Sequence, residues 1–241
     1  MAYYRVLEAL GHQGCPICVL RGEAVHRYLD SFLYESVNDV GLRQTLLRSR
    51  GFCRAHAWEL VPFGDSLGTA IVYKDQVDAA IRDVHEAARA AGTWRPRGLR
   101  RWDGARDGGP AAVLRRRRTP EVPCPACQVG AEAQARYVSA LLEHLDDPTM
   151  REAIRRSMFL CLPHLADALE AARTPAQARS LLEIAEDRLA RLRGELAELI
   201  RKRDYRFAHE PRGEEQTSWL RAIGQLAGWG RSDRRARPHP D

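Results

Sequence analysis

Cys15-Pro16-Ile17-Cys18 is followed, 35 positions after Cys18, by Cys53-Arg54-Ala55-His56. Cys124-Pro125-Ala126-Cys127 is followed, 34 positions after Cys127, by Cys161-Leu162-Pro163-His164. Together these motifs use all 6 cysteines of the chain. Each copy reads C-P-x-C, a spacer of nearly constant length, then C-x-x-H. Three thiolates and one imidazole make a complete tetrahedral donor set for a soft or borderline metal ion. The near-equal spacers predict pairing within each copy. Cys15, Cys18, Cys53 and His56 would form one site, and Cys124, Cys127, Cys161 and His164 the other.

The likeness of the copies extends past the ligands. Glu23-Ala24 and Arg27-Tyr28 match Glu132-Ala133 and Arg136-Tyr137 in frame from the C-P-x-C motifs. Arg48-Ser49 matches Arg156-Ser157, counted back from C-x-x-H. Such a repeat is the signature of one structural unit used twice.

Outward from the motifs, the apolar spacing is helical throughout and no strand is expected. Val25, Leu29, Phe32 and Leu33 continue one stripe after Cys18. A break at Asn38-Asp39 precedes a short helix over residues 42–49. A long helix after the Pro62-Phe63-Gly64-Asp65 turn is expected to bury Leu67, Ile71, Val77, Ile81, Val84 and Ala88. In the second copy Val138, Leu141, Leu142 and Leu145 form a stripe, and Asp147-Pro148 starts the next helix. Thr174-Pro175-Ala176-Gln177 is a capping box that opens a helix with Leu182, Ala185, Leu189, Leu192, Leu196 and Leu199 along one seam. Internal packing is the simpler use of that seam than a dimer zipper. The predicted class is all-α: a first unit over residues 1–91, a basic flexible linker over 92–123, and a second unit over 124–203. A C-terminal helical segment over 204–230 and a disordered tail over 231–241 complete it. Trp94 and Trp102 in the linker are candidates for docking on the body or on a partner.

The net charge of +6 is unevenly placed. Nine arginines stand against three acids in residues 92–123, and four against two in 231–241. The remaining body is slightly acidic. All basic residues except Lys74 and Lys202 are arginine, a bias expected of a GC-rich genome. A solvated linker is therefore the simpler reading, and phosphate contact through its arginines comes third among the functions considered. No apolar run reaches the ~20 residues of a membrane span. The N-terminus has no basic and apolar leader, so a cytoplasmic protein with reduced thiols is expected.

The ligand types favour two zinc ions. An iron–sulfur cluster with one histidine ligand is the alternative cofactor. A dithiol exchange motif would need a preceding strand, and none is expected. Four protein ligands leave no open position for water, so the sites read as structural, with no catalytic residue assigned. His12, His26, His85, His144, His209 and His239 do not repeat between the copies and are not expected to be ligands. Glu23 with Arg27, and Glu132 with Arg136, are candidate braces near the metal. No phosphate-binding glycine loop, nucleophile elbow or H-E-x-x-H motif is present.

C-P-I-C, G-F-C-R-A-H-A-W, C-P-A-C, L-C-L-P-H-L and the late K-R-D-Y-R-F together resemble an uncharacterised family of bacterial proteins. That family is a domain of unknown function found in actinobacteria and related lineages. The resemblance covers most of the chain outside the linker and tail. It implies the architecture and a bacterial origin, and it assigns no activity. Asp204-Tyr205-Arg206-Phe207 matches a segment of that family, as a cap on the bundle or as a partner surface. The leading functional expectation is a non-enzymatic, zinc-stabilised scaffold for another macromolecule, a protein before a nucleic acid. The runner-up is an iron–sulfur or thiol-based redox protein or sensor.

Overall fold

The structure is a computed structural model that describes residues 1–93, 109–207 and 209–230. Its elements are α1 (Ala2–Leu10), α2 (Pro16–Ser31), α3 (Val40–Arg48), α4 (Arg54–Trp58), α5 (Ser66–Thr93), α6 (Pro110–Arg118), α7 (Pro125–Glu143), α8 (Pro148–Arg156), α9 (Leu162–Ala171), α10 (Pro175–Arg201) and α11 (Ser218–Ala227). The protein is all-α, and no strand occurs among the described residues. The same order occurs twice: C-P-x-C opening a helix, a short helix, C-x-x-H opening another, then a long helix. Trp94, Trp102 and the tail over 231–241 lie outside the described residues.

The compact units are not the consecutive halves that the spacers suggest. One unit combines Met1–Ala24 with Gly130–Asp241, and the other is Val25–Val129. The boundaries fall inside α2 and α7. Each C-P-x-C therefore lies in a different unit from the C-x-x-H that follows it in sequence.

In the unit containing both termini, Leu141, Met150, Ile154, Phe159, Leu160 and Leu181 lie in the core. Asp147 caps α8 by accepting the Met150 N–H at 2.9 Å, and it also accepts the Tyr3 hydroxyl at 2.8 Å. Thr174 caps α10 through the Gln177 N–H at 3.2 Å. Helix α10 contacts α9, α11 and the 3₁₀ turn Glu214–Thr217; of its expected seam Ala185 is buried, and Leu189, Leu192, Leu196 and Leu199 are partly buried. At its start the buried residue is Leu181, while Leu182 is half exposed. The Asp204–Phe207 segment ends α10 with the Arg201 guanidinium 4.5 Å from the Phe207 ring centre.

In the other unit, Val25, Leu29, Phe32, Leu33, Leu46, Phe52, Leu60 and Val72 form one core cluster. Two expectations change here. First, the linker is not uniformly irregular, because α6 packs along α5. Pro110 sits in the first turn, Ala111-Ala112-Val113-Leu114 favour helix, and four arginines lie at the helix C-terminus, where positive charge is stabilising. Arg117 and Arg118 reach Asp83 of α5 at 3.7 and 3.8 Å, and Arg50 reaches it at 3.6 Å.

Second, α5 buries a different face from the apolar one. Leu67, Val77, Ile81 and Val84 are exposed, whereas Val72, Gln76, Ala79, Asp83 and Ala87 are buried. The polar members decide it. Asp83 is where the arginines converge, and Gln76 lies against Gly51.

Candidate metal centres

All eight predicted ligands sit in the first turns of four helices. Pro16 and Pro125 open α2 and α7, so each C-P-x-C places one cysteine just before a helix and the other one turn inside it. The fixed φ of proline suits that first position. The backbone closes the turn through Val19 N–H to Cys15 O and Gln128 N–H to Cys124 O, each 3.1 Å. Cys53 and Cys161 are the N-caps of α4 and α9, in extended conformation, and His56 and His164 follow one turn later.

A left-handed residue delivers each C-x-x-H turn: Arg50 at φ 60° before Cys53, and Phe159 at φ 60° before Cys161. The repeated serines shape both approaches. The Ser49 hydroxyl bonds to the Leu46 and Gly51 carbonyls, and Ser157 bonds to the Ile154 carbonyl while accepting the Phe159 N–H.

The eight residues form two groups, with partners exchanged relative to the sequence expectation. Cys15 and Cys18 meet Cys161 and His164, while Cys53 and His56 meet Cys124 and Cys127. Within each group the donor atoms all lie within 4.8 Å of one another. In the first, Cys18 Sγ is 3.7 Å from Cys161 Sγ, and His164 Nδ1 is 3.5, 3.2 and 3.2 Å from Cys15, Cys18 and Cys161. In the second, Cys53 Sγ is 3.6 Å from Cys127 Sγ, and His56 Nδ1 is 3.3, 3.6 and 3.4 Å from Cys53, Cys124 and Cys127. A tetrahedron with bonds of about 2.3 Å to sulfur and about 2.0 Å to nitrogen has edges of about 3.5–3.8 Å. Both groups fit one ion each. Pairing within each copy is thus overturned. The two C-P-x-C motifs are equivalent as ligands, so spacing could not distinguish the two arrangements.

Crowded sulfurs differ in acidity. Burial, then neighbouring Cys161 and Cys18, raises the Cys15 thiol, while hydrogen bonds from Cys15 and Cys161 lower Cys18. Burial, then Cys53, pushes Cys127 up to about 12. Against its own burial cost, Cys53 is lowered by the His56 N–H and by Cys127. Burial opposes charge on His164, yet hydrogen bonds with Cys161 and Cys18 lift it to about 9. An ion bound at either group would displace the protons that its thiols carry.

The groups differ in what surrounds them. His164 Nε2 donates to Gln134 Oε1 at 3.1 Å, and Gln134 Nε2 donates to Asp167 at 2.9 Å. This chain fixes the ring with Nδ1 toward the sulfurs, as outer partners of metal-bound histidines do. The Trp229 N–H donates to Cys18 Sγ at 3.3 Å. Gln134, Asp167 and Trp229 were not singled out in the sequence. Gln134 falls opposite Val25 when the repeats are aligned, so the repeat concealed it. The expected Glu23–Arg27 brace is replaced by an ion pair between Glu23 and Arg5 of α1. None of the described non-motif histidines joins either group.

These features define a helical protein with two compact groups, each of three cysteines and one histidine, able to hold a metal ion. The chain belongs to DUF6062, a family of unknown function whose model matches residues 5–233. It is 26% identical over 227 residues to an uncharacterised 23.9 kDa protein in the xynA 3′ region of Caldicellulosiruptor sp. (strain Rt8B.4), covering 92% of this chain and 99% of that protein. No solved structure matches it.

Proposed function

We propose that the protein is a non-enzymatic helical scaffold, stabilised by two zinc ions, that binds another macromolecule in the bacterial cytoplasm. The observation that carries this reading is that each group is a complete set of three cysteines and one histidine whose donor atoms lie within 4.8 Å of one another. Three thiolates and a neutral imidazole fill the coordination of zinc and leave no place for a reacting water. An iron–sulfur cluster spreads its ligands over two or more irons, and donor atoms within 4.8 Å suit a single ion better. No helix among the described residues is long and apolar enough to cross a membrane.

A protein partner is favoured over nucleic acid. Arg117 and Arg118 are engaged by Asp83 and Glu86, which reduces the free charge of α6. Trp58, Val61 and Leu67 expose large apolar surface at 70, 62 and 72%. Such residues suit a protein surface better than a phosphate backbone.

Elemental analysis of protein purified without chelator, with its visible spectrum, tests the metal reading. Two zinc ions per chain and no visible absorption are expected. Iron with a visible charge-transfer band would replace this reading with the redox alternative. For the partner, Trp58→Ala should weaken a complex isolated with the wild-type chain without changing metal content. Retention by salt-sensitive nucleic acid alone would contradict the protein-partner reading.

A further inference from the structure

The two centres share one ligand grammar but not one degree of protection. In the first, Cys15 and Cys161 are fully buried and His164 is 5% exposed. Its partly exposed sulfur, Cys18, receives the Trp229 N–H. Gly228 lies against that centre, and a β-carbon there would stand 3.9 Å from Cys18 Sγ and 4.0 Å from Cys161 Sγ. The Trp229 ring rests on Gly14 and Gly224, where an added β-carbon would collide with the indole. Gln225, itself buried, donates to the Leu160 carbonyl beside Cys161 and ties α11 to the centre. A glycine-lined seat and a buried hydrogen bond thus hold a C-terminal cover over one set of thiolates.

In the second centre His56 and Cys124 are buried, but Cys53 and Cys127 are both partly exposed. They are also the sulfur pair that lies 3.6 Å apart. Tyr28 and Tyr73 pack against the core next to them, and Trp229 belongs to the other unit.

We propose that Cys53 and Cys127 form a thiol-modification site for peroxides, which releases the metal of the second centre, while Gly228–Trp229 shields the first centre from the same reagent. The proposal rests on the metal reading above. A thiolate of the pair attacks one peroxide oxygen. The O–O bond breaks, a sulfenic acid forms, and hydroxide leaves and takes a proton from solvent. The second thiolate then attacks that sulfur. The S–S bond forms, the S–O bond breaks, and a second hydroxide leaves as water. Two thiolates lose two electrons in all and the peroxide is reduced to two waters. Cys124 and His56 alone are an incomplete set, so the ion departs.

The test treats the full-length, metal-loaded chain with hydrogen peroxide in the presence of a chromogenic zinc chelator, then maps thiols by alkylation and mass spectrometry. One zinc per chain should leave rapidly, with a Cys53–Cys127 disulfide and with Cys18 and Cys161 still reduced. Trp229→Ala keeps the backbone N–H to Cys18 but removes the indole seated on Gly14 and Gly224, so the zinc of the first centre should leave several-fold faster than in wild type. Release of both ions at one rate from the wild-type chain would overturn the proposal, as would a disulfide between Cys18 and Cys161, or no oxidation at all. Metal content before peroxide reads the underlying assignment separately. If that content is zero, maleimide labelling of the same chain still decides: Cys53 and Cys127 should react ahead of Cys15, Cys18 and Cys161, and equal rates contradict the proposal.

Discussion

Gln134 shows how a residue outside the ligand grammar sets a centre's quality. Its amide accepts from His164 and donates to Asp167, so one side chain fixes both the tautomer and the orientation of the ring. Gln134→Ala should lower the affinity of the first centre about 10-fold or more and leave the second unchanged. Competition against a chelator of known affinity measures this. Gly224 makes a complementary prediction. Gly224→Ala places a methyl group against the Trp229 indole and should destabilise the C-terminal cover by about 1–3 kcal/mol, as overpacking does, read as a lower urea midpoint. At this scale the sequence was informative where chemistry dictates residue type. All eight cysteine and histidine donors were legible, because thiolates and imidazoles at helical-turn spacing have few other uses. Gln134, Gly224 and Trp229 were not, because common residues become meaningful only through what they touch.

Among the elements, α5 and α6 show why apolar periodicity misassigned a face. The pattern Leu67, Val77, Ile81 and Val84 is helical, and a helix forms, but these side chains stay exposed. A carboxylate 5% exposed among three guanidiniums constrains the orientation more than a few aliphatic groups do. Asp83→Asn should destabilise the α5–α6 packing by about 1 kcal/mol, because Arg50 loses its counter-charge while Arg117 and Arg118 are screened by water. Faster amide exchange in residues 110–118 would report it. Unchanged exchange would mean that Val113 and Leu114 hold α6 in place without the ion pairs. Over residues 110–118 the linker expectation changes for the same reason: four consecutive arginines read as solvated until Asp83 and Glu86 are placed beside them.

The C-terminal elements add a pH dependence. Glu215 is held down to about 2 by the Gly213 N–H first, then by Lys202 and Gln216. Its folded value lies below its ordinary 4.5, so its contribution is full above that ordinary value and is lost as pH falls toward 2. Across that window the wild-type chain should lose more stability than Glu215→Gln. Parallel curves for the two would remove Glu215 from the account.

For the whole molecule, the helical class, the order of elements and the presence of two Cys3His groups were legible. The connectivity between the repeats was not. A repeated motif states which parts are equivalent, and for that reason cannot state which equivalent part each one meets. The division inside α2 and α7 is what the spacing could not show, since it puts each C-P-x-C in one unit and the C-x-x-H that follows it in the other. The most direct test of the exchanged centres is zinc stoichiometry in two double variants. Cys18→Ser with Cys161→Ser damages one centre only and should leave one zinc per chain. Cys18→Ser with Cys53→Ser damages both and should leave none. The reverse result, no zinc in the first and one in the second, would contradict the exchange and restore pairing within each repeat.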